Sequence, residues 1–431
     1  MRRRGPFQRT VAWTLLVALL AGACATRNVP PIGAGGQPFR PEADERQLWA
    51  RAEKEEETLL RRARPLEDPL LEEYLARLAD RLLPDAVRAA GGPGIRVGVL
   101  RDPTLNAFAL PNGRIYVHTG LLARLENEAQ LATILGHELT HVTHRHALRF
   151  TRDARNKQIL YTVLGMAASI GIAAAAGGRA EAGDRVGAAV LSQTANAVLG
   201  LGLQLAALAA INGYGRELER EADAEGLARV VHAGYDPREA PKVFKLLMEE
   251  SKDRGPIETF FFGSHPRLAE RWESMDELVR TRYAALAGAP GRVTTTEEFE
   301  RRLRPVVREN ALLDIRAGRF ALARRQLDRV LAVAPRDPVA HLYYGDLHRL
   351  QAQRARSAAE KAEHAARALE HYERAAALDP AFPDPHRQLG FLYYQQHDRA
   401  RARAAFERYL ALKPDAPDAA RIREYLVELD R

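Results

Sequence analysis

The sequence predicts a mainly helical protein with a small β-sheet, in which one large folded domain precedes an α-solenoid of paired helices. Alanine, arginine and leucine are abundant, and these residues favour helices. Two short segments alternate apolar and polar residues as strands do, and the last third repeats every 34 residues. The 431 residues exceed one ordinary core, because domains commonly contain about 150 residues. The expected divisions are a signal peptide at 1–23, a flexible tether at 24–41, the large domain at 42–285 and the repeats at 300–431.

The chain is basic, but its charge pattern does not indicate nucleic-acid binding. The formal net charge is +8 and the pI is about 9.6. The arginines are spread over helical stretches, whereas nucleic-acid-binding surfaces collect Lys and Arg in patches with aromatic residues among them. The sequence contains no Gly-x-x-x-x-Gly-Lys-Ser/Thr loop. We therefore expect neither a nucleic-acid partner nor a dependence on ATP.

The first residues have the pattern of an export signal. Four arginines accompany the apolar run Val11–Ala21, which is too short to span a bilayer well. The only cysteine of the chain, Cys24, lies in a segment that resembles the lipobox of bacterial lipoproteins. We expect lipidation of Cys24 and, because Ala25 is not aspartate, a lipid anchor in the outer membrane. Cleavage after Ala23 or Ala25 would instead release a soluble periplasmic protein. A single cysteine also excludes an internal disulfide.

The large domain begins after a Pro- and Gly-rich tether. Two helical stretches come first, and two alternating segments separated by turn signals follow. We expect the alternating segments to pair in a small antiparallel sheet, and a long helix to follow them. The expected ranges are 26–41 for the tether, 42–64 and 70–83 for the first helices, Ile95–Leu100 and Gly113–His118 for the strands, and Glu128–Arg149 for the long helix.

Two apolar stretches, Ile159–Ala176 and Gly187–Ile211, are each long enough to suggest membrane helices. Alanine, glycine and polar residues such as Ser192, Gln193 and Asn196 weaken that interpretation. We favour buried or site-covering helices, and a membrane hairpin remains the alternative.

The last third of the chain carries the repeat. Pro380 and Pro414 lie 34 residues apart, and each ends a segment of similar sequence. Leu389–Gly390 lies in the second segment, where the repeat has a close-packing glycine. This period is that of tetratricopeptide repeats (TPRs), which stack into a curved solenoid with a concave groove. A weaker copy ends at Pro335, and the longer step to Pro380 indicates an insertion at 351–363. We favour a protein-docking groove over a purely structural C-terminal cap.

The segment His137-Glu-Leu-Thr-His141 indicates metal chemistry. Two histidines four residues apart point from one face of a helix and can share one ion, and Glu138 lies beside them as a candidate general base. The alternative is a pair of surface histidines. A catalytic zinc ion usually has a third protein ligand. No histidine follows at metzincin spacing, but Glu219 and Asp223 lie four residues apart on a later helix, which offers a carboxylate ligand and an acid to hold a ligating imidazole.

Several segments together carry a family resemblance. They are Asn106–Leu122, Leu131–His141, Arg145–His146, Glu219–Asp223, and His265–Pro266 with Arg271, within about Ile95–Arg271. The chain resembles the BepA/HtpX-like zinc metallopeptidases, which are related to the CaaX prenyl protease. The resemblance implies a gluzincin-type HExxH domain with one Zn²⁺ per chain on His137, His141 and Glu219. It also implies that Glu138 is the catalytic base and that Asp223 supports a ligand from behind.

Further roles are less specific. The resemblance implies that His265 is a fourth, regulatory ligand or, with Arg271, a group acting on the transition state. The Ser-His-Pro-Arg setting of His265 is also a common turn before a helix. A substrate must lie extended beside the site, and the strand at Asn106, Ala107 and Phe108 could offer it an edge. The sequence indicates no ligand role for the remaining histidines near the motif, His118, His144 and His146.

The expected function is that of a metalloendopeptidase in protein quality control of the bacterial cell envelope. It would hydrolyse misfolded or stalled outer-membrane proteins and would dock substrates or the outer-membrane assembly machinery through its TPR groove. The rival hypothesis is a chaperone or assembly scaffold whose zinc site is closed or rarely active.

Overall fold

The computed structural model describes residues 29–154, 214–252 and 268–430. These residues divide into two compact units. Unit 1 extends to Thr296, except for Arg101–Pro103 and His118–Arg124, which belong to unit 2 together with the residues from Glu297 onward. The expected signal peptide at 1–23, Cys24, the apolar stretches within 159–211 and His265 lie outside the described residues.

The described part of the chain is mostly helical and contains one small sheet, which confirms the predicted fold class. The helices up to Thr281 are α1 (Ala43–Arg62), α2 (Pro69–Arg81), α3 (Asp85–Ala90), α4 (Thr119–Leu122), α5 (Glu128–Thr143), α6 (Arg216–His232), α7 (Glu239–Lys252) and α8 (Leu268–Thr281). The strands are β1 (Arg96–Leu100), β2 (Ala107–Ala109) and β3 (Arg114–His118). Among the described helices, none combines the length and the hydropathy needed to cross a bilayer.

The sheet has the order β1-β3-β2, so β2 lies at an edge of the sheet that the described residues form. It runs antiparallel to β3, with Ala107 opposite Val117, and it packs beside α5. The Leu110 N–H donates to the Arg114 carbonyl at 2.7 Å, which makes this a hydrogen-bonded pair. Such pairs alternate along an antiparallel ladder. The N–H and C=O of Ala107 therefore point away from β3, and all three residues of β2 are buried.

Helix α5 is buried along its whole length and begins at a polar network. The Asn127 side chain accepts from the Gln130 N–H at 3.0 Å and caps its first turn. Glu128 in that turn accepts from the Tyr74 hydroxyl at 2.9 Å and from the Arg81 guanidinium at 2.9 Å. A negative charge at this end is also favoured by the helix dipole. These contacts position the start of the helix that carries the His-Glu-x-x-His motif.

Helix α5 ends at Thr143, and the prediction of one helix to Arg149 is wrong. Arg145 has a left-handed backbone with φ of 57°, and a new helical segment begins at His146. A buried ion pair accounts for the reversal, since Arg145 Nη2 and Nε lie 2.6 and 2.9 Å from the Glu45 carboxylate. That partner is 100 residues away in sequence, so helix periodicity could not reveal it.

Helices α5 and α6 cross at two glycines. A Cβ built on Gly136 would lie 2.9 Å from the Gly226 carbonyl oxygen, and one built on Gly226 would lie 2.9 Å from the His137 nitrogen. No side chain fits between backbones at that distance. The crossing brings the motif of α5 against the acidic first turns of α6.

Unit 2 contains the TPR helices that the 34-residue repeat predicts. They are α9 (Glu297–Arg316), α10 (Phe320–Val333), α11 (Pro338–Arg354), α12 (Ala358–Leu378), α13 (Pro383–Gln395), α14 (Arg399–Leu412) and α15 (Ala419–Leu429). A Cβ on Gly390 would clash with the Phe406 ring, which explains the glycine of the repeat. The extra residues at 351–363 lengthen α11 and α12. Buried residues such as Tyr372 and Tyr409 form the core between the pairs.

Candidate metal centre

Three side chains from α5 and α6 converge at the glycine crossing. His137 Nε2 and His141 Nε2 lie 3.0 Å apart, and the Glu219 carboxylate lies 3.5 Å from the first and 3.7 Å from the second. All three residues are buried, and each offers one ligand atom within 4.8 Å of the others. Ligand atoms on a tetrahedral zinc ion are separated by roughly 3.3 Å, given Zn–N and Zn–O distances of about 2.0–2.1 Å. These residues therefore fit a zinc ion with two imidazoles and one carboxylate.

The far side of His137 is held by an acid. Its Nδ1 lies 2.9 Å from Asp223 Oδ1, which directs Nε2 toward Glu219 and His141. Arg271 donates to the same carboxylate at 2.6 and 2.8 Å and lies 3.2 Å from Glu219. The Arg271 side chain also lies over the Phe244 ring at 4.8 Å. The Arg271 guanidinium thus contacts the carboxylates of both Glu219 and Asp223.

The electrostatics of this cluster favour positive charge. Burial and the Arg271 charge lower the pKa of His137, but hydrogen bonds with Asp223 and Glu219 outweigh them and raise it to about 9. Burial raises the pKa of Asp223, yet Arg271 and His137 bring it below its usual value. Asp223, Glu219 and Glu138 raise the pKa of Arg271 against the effect of burial. Carboxylates that stabilise buried cations in this way also suit a divalent metal ion.

Glu138 and Tyr214 complete the inner surface of the site. Glu138 is buried on α5 and lines a pocket with His137, Asp223 and Arg271. Tyr214 stacks on the His141 ring at 4.5 Å, and its N–H donates to Glu219 at 3.2 Å. A separate cavity of about 180 Å³ adjoins the site and is lined by Tyr214, Glu219 and Arg271.

A second polar cluster lies behind His141. His146 is fully buried, and its Nδ1 lies 2.9 Å from His141 Nδ1. Its other nitrogen lies 3.6 Å from Glu221, which also contacts His144 and Arg149 at 2.7 Å each. Burial lowers the pKa of His146, and hydrogen bonds from the two histidines and Arg149 hold the pKa of Glu221 well below its usual range.

The structure brings together His137, Glu138, His141, Glu219, Asp223 and Arg271, all of which the sequence analysis names. Ala107 and Phe108 lie in β2, beside α5, and Asn106 directly precedes that strand. Sequence reasoning missed Tyr214, which belongs to no recognisable motif, and gave no role to Glu221, although it lies inside the segment Glu219–Asp223. Their only signal is proximity to Glu219, which many charged helices would share.

Two known family models match this chain. Residues 69–279 match the model of Peptidase family M48, and residues 355–427 match a tetratricopeptide repeat model. The chain carries an M48 metallopeptidase domain followed by TPRs, as the sequence predicts.

Curated relatives match less than half of this chain. A Vibrio cholerae serotype O1 protein, named as a candidate beta-barrel assembly-enhancing protease, is 33% identical over 44% of this chain and 36% of its own length. The beta-barrel assembly-enhancing protease of Escherichia coli K12 is 29% identical over 45% of this chain and 36% of its own. Mitochondrial metalloendopeptidase OMA1 of Arabidopsis thaliana is 30% identical over 40% of this chain and 29% of its own. The matches thus span about a third of the length of these relatives.

Proposed function

We propose that this chain is a zinc-dependent endopeptidase of the bacterial cell envelope, with its metal on His137, His141 and Glu219. The main support for this proposal is that His137 Nε2 and His141 Nε2 lie 3.0 Å apart, with the buried Glu219 carboxylate 3.5 and 3.7 Å from them. Two histidines and one glutamate are a ligand set of catalytic zinc sites, which leave a coordination position open for substrate or water. When bound, zinc would polarise the scissile carbonyl and lower the pKa of the attacking water.

Glu138 is the general base in this proposal. It follows His137 on α5 and lines the same pocket as His137 and Asp223. It would accept a proton from the attacking water and deliver it to the nitrogen of the leaving amine. The Asp223 carboxylate contacts the Nδ1 atom of His137 and fixes the ring. Arg271 in turn contacts the carboxylates of Asp223 and Glu219. The side chains therefore need little rearrangement during hydrolysis.

The edge of the sheet supports binding of an extended peptide. Strand β2 packs beside α5, and the N–H and C=O of Ala107 point away from β3. Because Ala107 is buried, these groups could pair with a peptide backbone as an added strand only after the edge is uncovered. Backbone pairing is independent of side-chain identity, which suits a protease that acts on unfolded protein segments. The natural substrates we propose are misfolded or stalled envelope and outer-membrane proteins.

The envelope assignment rests on two supports. One is the export signal with Cys24, for which we propose lipidation and an outer-membrane anchor. The other is the similarity to two relatives whose names refer to the assembly of β-barrels. The TPR helices would dock substrates or components of the assembly machinery in their groove.

One observation favours the rival scaffold function. The Arg271 guanidinium lies 3.2 Å from Glu219 and 3.3 Å from His137 Nδ1, inside the cluster of ligands. His141 and Glu138 are also buried. A site this enclosed would cleave rarely unless something opens it, and the chain would then act mainly as a chaperone through its repeats.

The decisive experiment compares metal content and casein cleavage of the wild-type chain with those of Glu138→Gln and Glu219→Ala. We expect one zinc per chain in the wild type and in Glu138→Gln, less in Glu219→Ala, and cleavage by the wild type alone. Glu126→Gln is the matched control, because Glu126 is an exposed glutamate just before α5. Zinc without cleavage would favour the scaffold, and a wild-type chain without zinc would refute the proposed site.

A further inference from the structure

The two proposed histidine ligands, His137 and His141, differ in the group that contacts their Nδ1 atoms. A histidine that binds a metal usually donates its other ring N–H to a carboxylate, a carbonyl or water, which fixes its tautomer and orientation. His137 has Asp223 for this purpose, at 2.9 Å from Nδ1. His141 is contacted by a different kind of group. Its Nδ1 instead lies 2.9 Å from the Nδ1 of a third histidine, His146.

The other nitrogen of His146 faces a carboxylate, at a distance longer than a hydrogen bond. The ring is fully buried, lies edge-on to the His141 ring at 4.9 Å, and directs Nε2 toward Glu221 at 3.6 Å. The Glu221 carboxylate is fixed in turn by contacts of 2.7 Å with His144 Nδ1 and with Arg149. A continuous path of contacts therefore runs from Glu219 and His141 to a firmly anchored carboxylate.

Only one assignment of protons is consistent along this path. If His141 directs the lone pair of Nε2 toward Glu219 and His137, its proton is on Nδ1. That N–H must donate to His146 Nδ1, which leaves the proton of His146 on Nε2, facing Glu221. We propose that His146 and Glu221 are positioning residues that fix the tautomer and the ring orientation of His141. This inference rests on the proposed function, because it assigns His141 to the metal.

A second metal site at His144, His146 and Glu221 is the competing interpretation. The three residues offer ligand atoms within 4.8 Å of one another. The Arg149 guanidinium, however, already lies 2.7 Å from Glu221 and opposes a cation there. His146 Nδ1 also faces His141, so one side of its ring is committed to that contact. The geometry therefore favours support of the first site over a second site.

The test measures zinc affinity of the full chain by competition with a chromophoric chelator. His146→Leu removes the acceptor of His141, and loss of such a support typically weakens metal binding by about 10–100-fold. His146→Gln keeps an acceptor oxygen, so we expect it to recover most of the affinity. Glu221→Leu should weaken binding as well. Glu225→Gln is the matched control, because Glu225 is exposed on the same helix. With Co²⁺ in place of zinc, the visible absorption of His146→Leu should shift, which reports a changed ligand geometry.

Each outcome decides a different point. Zinc affinity of His146→Leu within twofold of the wild type, in a wild type that binds one zinc, would overturn the positioning role and leave the proposed function intact. Equal losses in His146→Leu and His146→Gln, with an equally lowered unfolding temperature of the EDTA-treated chains, would also overturn it in favour of a structural role. A second equivalent of metal that disappears in His144→Gln would support the competing site. A wild type without zinc would refute the proposed function itself.

Discussion

Gly136 and Gly226 meet backbone to backbone where α5 crosses α6, with no room for a methyl group on either. The contact determines how closely His137 can approach Glu219. We expect Gly226→Ala to separate the helices and to destabilise the fold by about 1–3 kcal/mol, despite the better helix propensity of alanine. Zinc affinity should fall with it. Chemical denaturation and a zinc titration measure the two effects. Gly94→Ala is the control, because nothing lies within 4 Å of a Cβ there. Unchanged zinc affinity would show that the crossing tolerates a wider spacing.

The raised pKa of His137 predicts a pH dependence of the metal-free fold. The folded value is about 9, against an ordinary value of 6.5. The stabilisation from protonated His137 is therefore complete below pH 6.5 and is lost as the pH rises through about 9. We expect the unfolding temperature of the EDTA-treated chain to fall over this interval, and to fall less in His137→Gln. Zinc binding should show the opposite trend and strengthen as the proton leaves. Parallel pH profiles for wild type and His137→Gln would contradict this assignment.

The Glu128 network predicts a large stability effect far from the ligands. The buried carboxylate accepts from Tyr74, Arg81 and Tyr235 and also contacts the Thr296 hydroxyl. Glu128→Gln would remove the charge and leave these donors with a weaker acceptor. We expect a loss of about 3 kcal/mol in the free energy of unfolding, measured by urea denaturation. The exposed Glu72 offers the control Glu72→Gln, which should change it little. Equal stabilities of the two variants would show that the network contributes nothing net.

The outward backbone groups of Ala107 predict a selective loss of peptide cleavage. Ala107→Pro removes an N–H that points away from β3, so the β2–β3 ladder keeps its hydrogen bonds. We expect normal zinc content and a strongly reduced rate of casein cleavage. Ala107→Ser retains the N–H and should cleave like the wild type. Full cleavage by the proline variant would remove β2 as the substrate edge.

The histidines of α11 and α12 predict acid sensitivity of unit 2. Burial and the charges of neighbouring histidines and arginines lower the pKa of His348 to about 4, and its Nδ1 lies 3.3 Å from that of His364. The unfolded chain therefore takes up this proton first, and the fold loses stability as the pH falls from about 6.5 toward 4. Hydrogen exchange should show the amides of both helices losing protection over that range. The loss should be smaller in His348→Gln, while His397→Asn, at an exposed position, should behave as wild type. A similar loss in all three would place the sensitivity elsewhere.

Local patterns predicted the parts of this protein that local geometry determines. The spacing of His137 and His141 was sufficient because helix periodicity alone puts both rings on one face. The TPR unit was predictable for a similar reason. Its 34-residue period is visible in the sequence, and Gly390 has to be small because the Phe406 ring packs against it. The ligand role of Glu219 required the family resemblance, because an acidic helix has many equivalent carboxylates, and that role stays a proposal.

Long-range contacts account for what the sequence did not predict. Arginine seldom adopts a left-handed backbone conformation, and the reversal at Arg145 coincides with its ion pair to Glu45 in a distant helix. The glycines at the crossing are individually unremarkable, and only their approach in space gives them a role. Tyr214 stacks on the His141 ring, and no fixed spacing between two residues in the sequence predicts such a contact.

The left-handed residue Arg145 has a consequence for grafting this centre onto other scaffolds. In an uninterrupted helix, five residues turn about 140° beyond a full rotation, so His146 would face away from His141. The reversal at Arg145 lets the two rings meet at 2.9 Å instead. If only the five residues His137–His141 were transplanted onto a straight helix, His141 would lack the contact of its Nδ1 with His146. A transferable unit would therefore contain the segment His137–His146 with its kink, a partner for Arg145 equivalent to Glu45, and the stretch of α6 from Glu219 to Asp223.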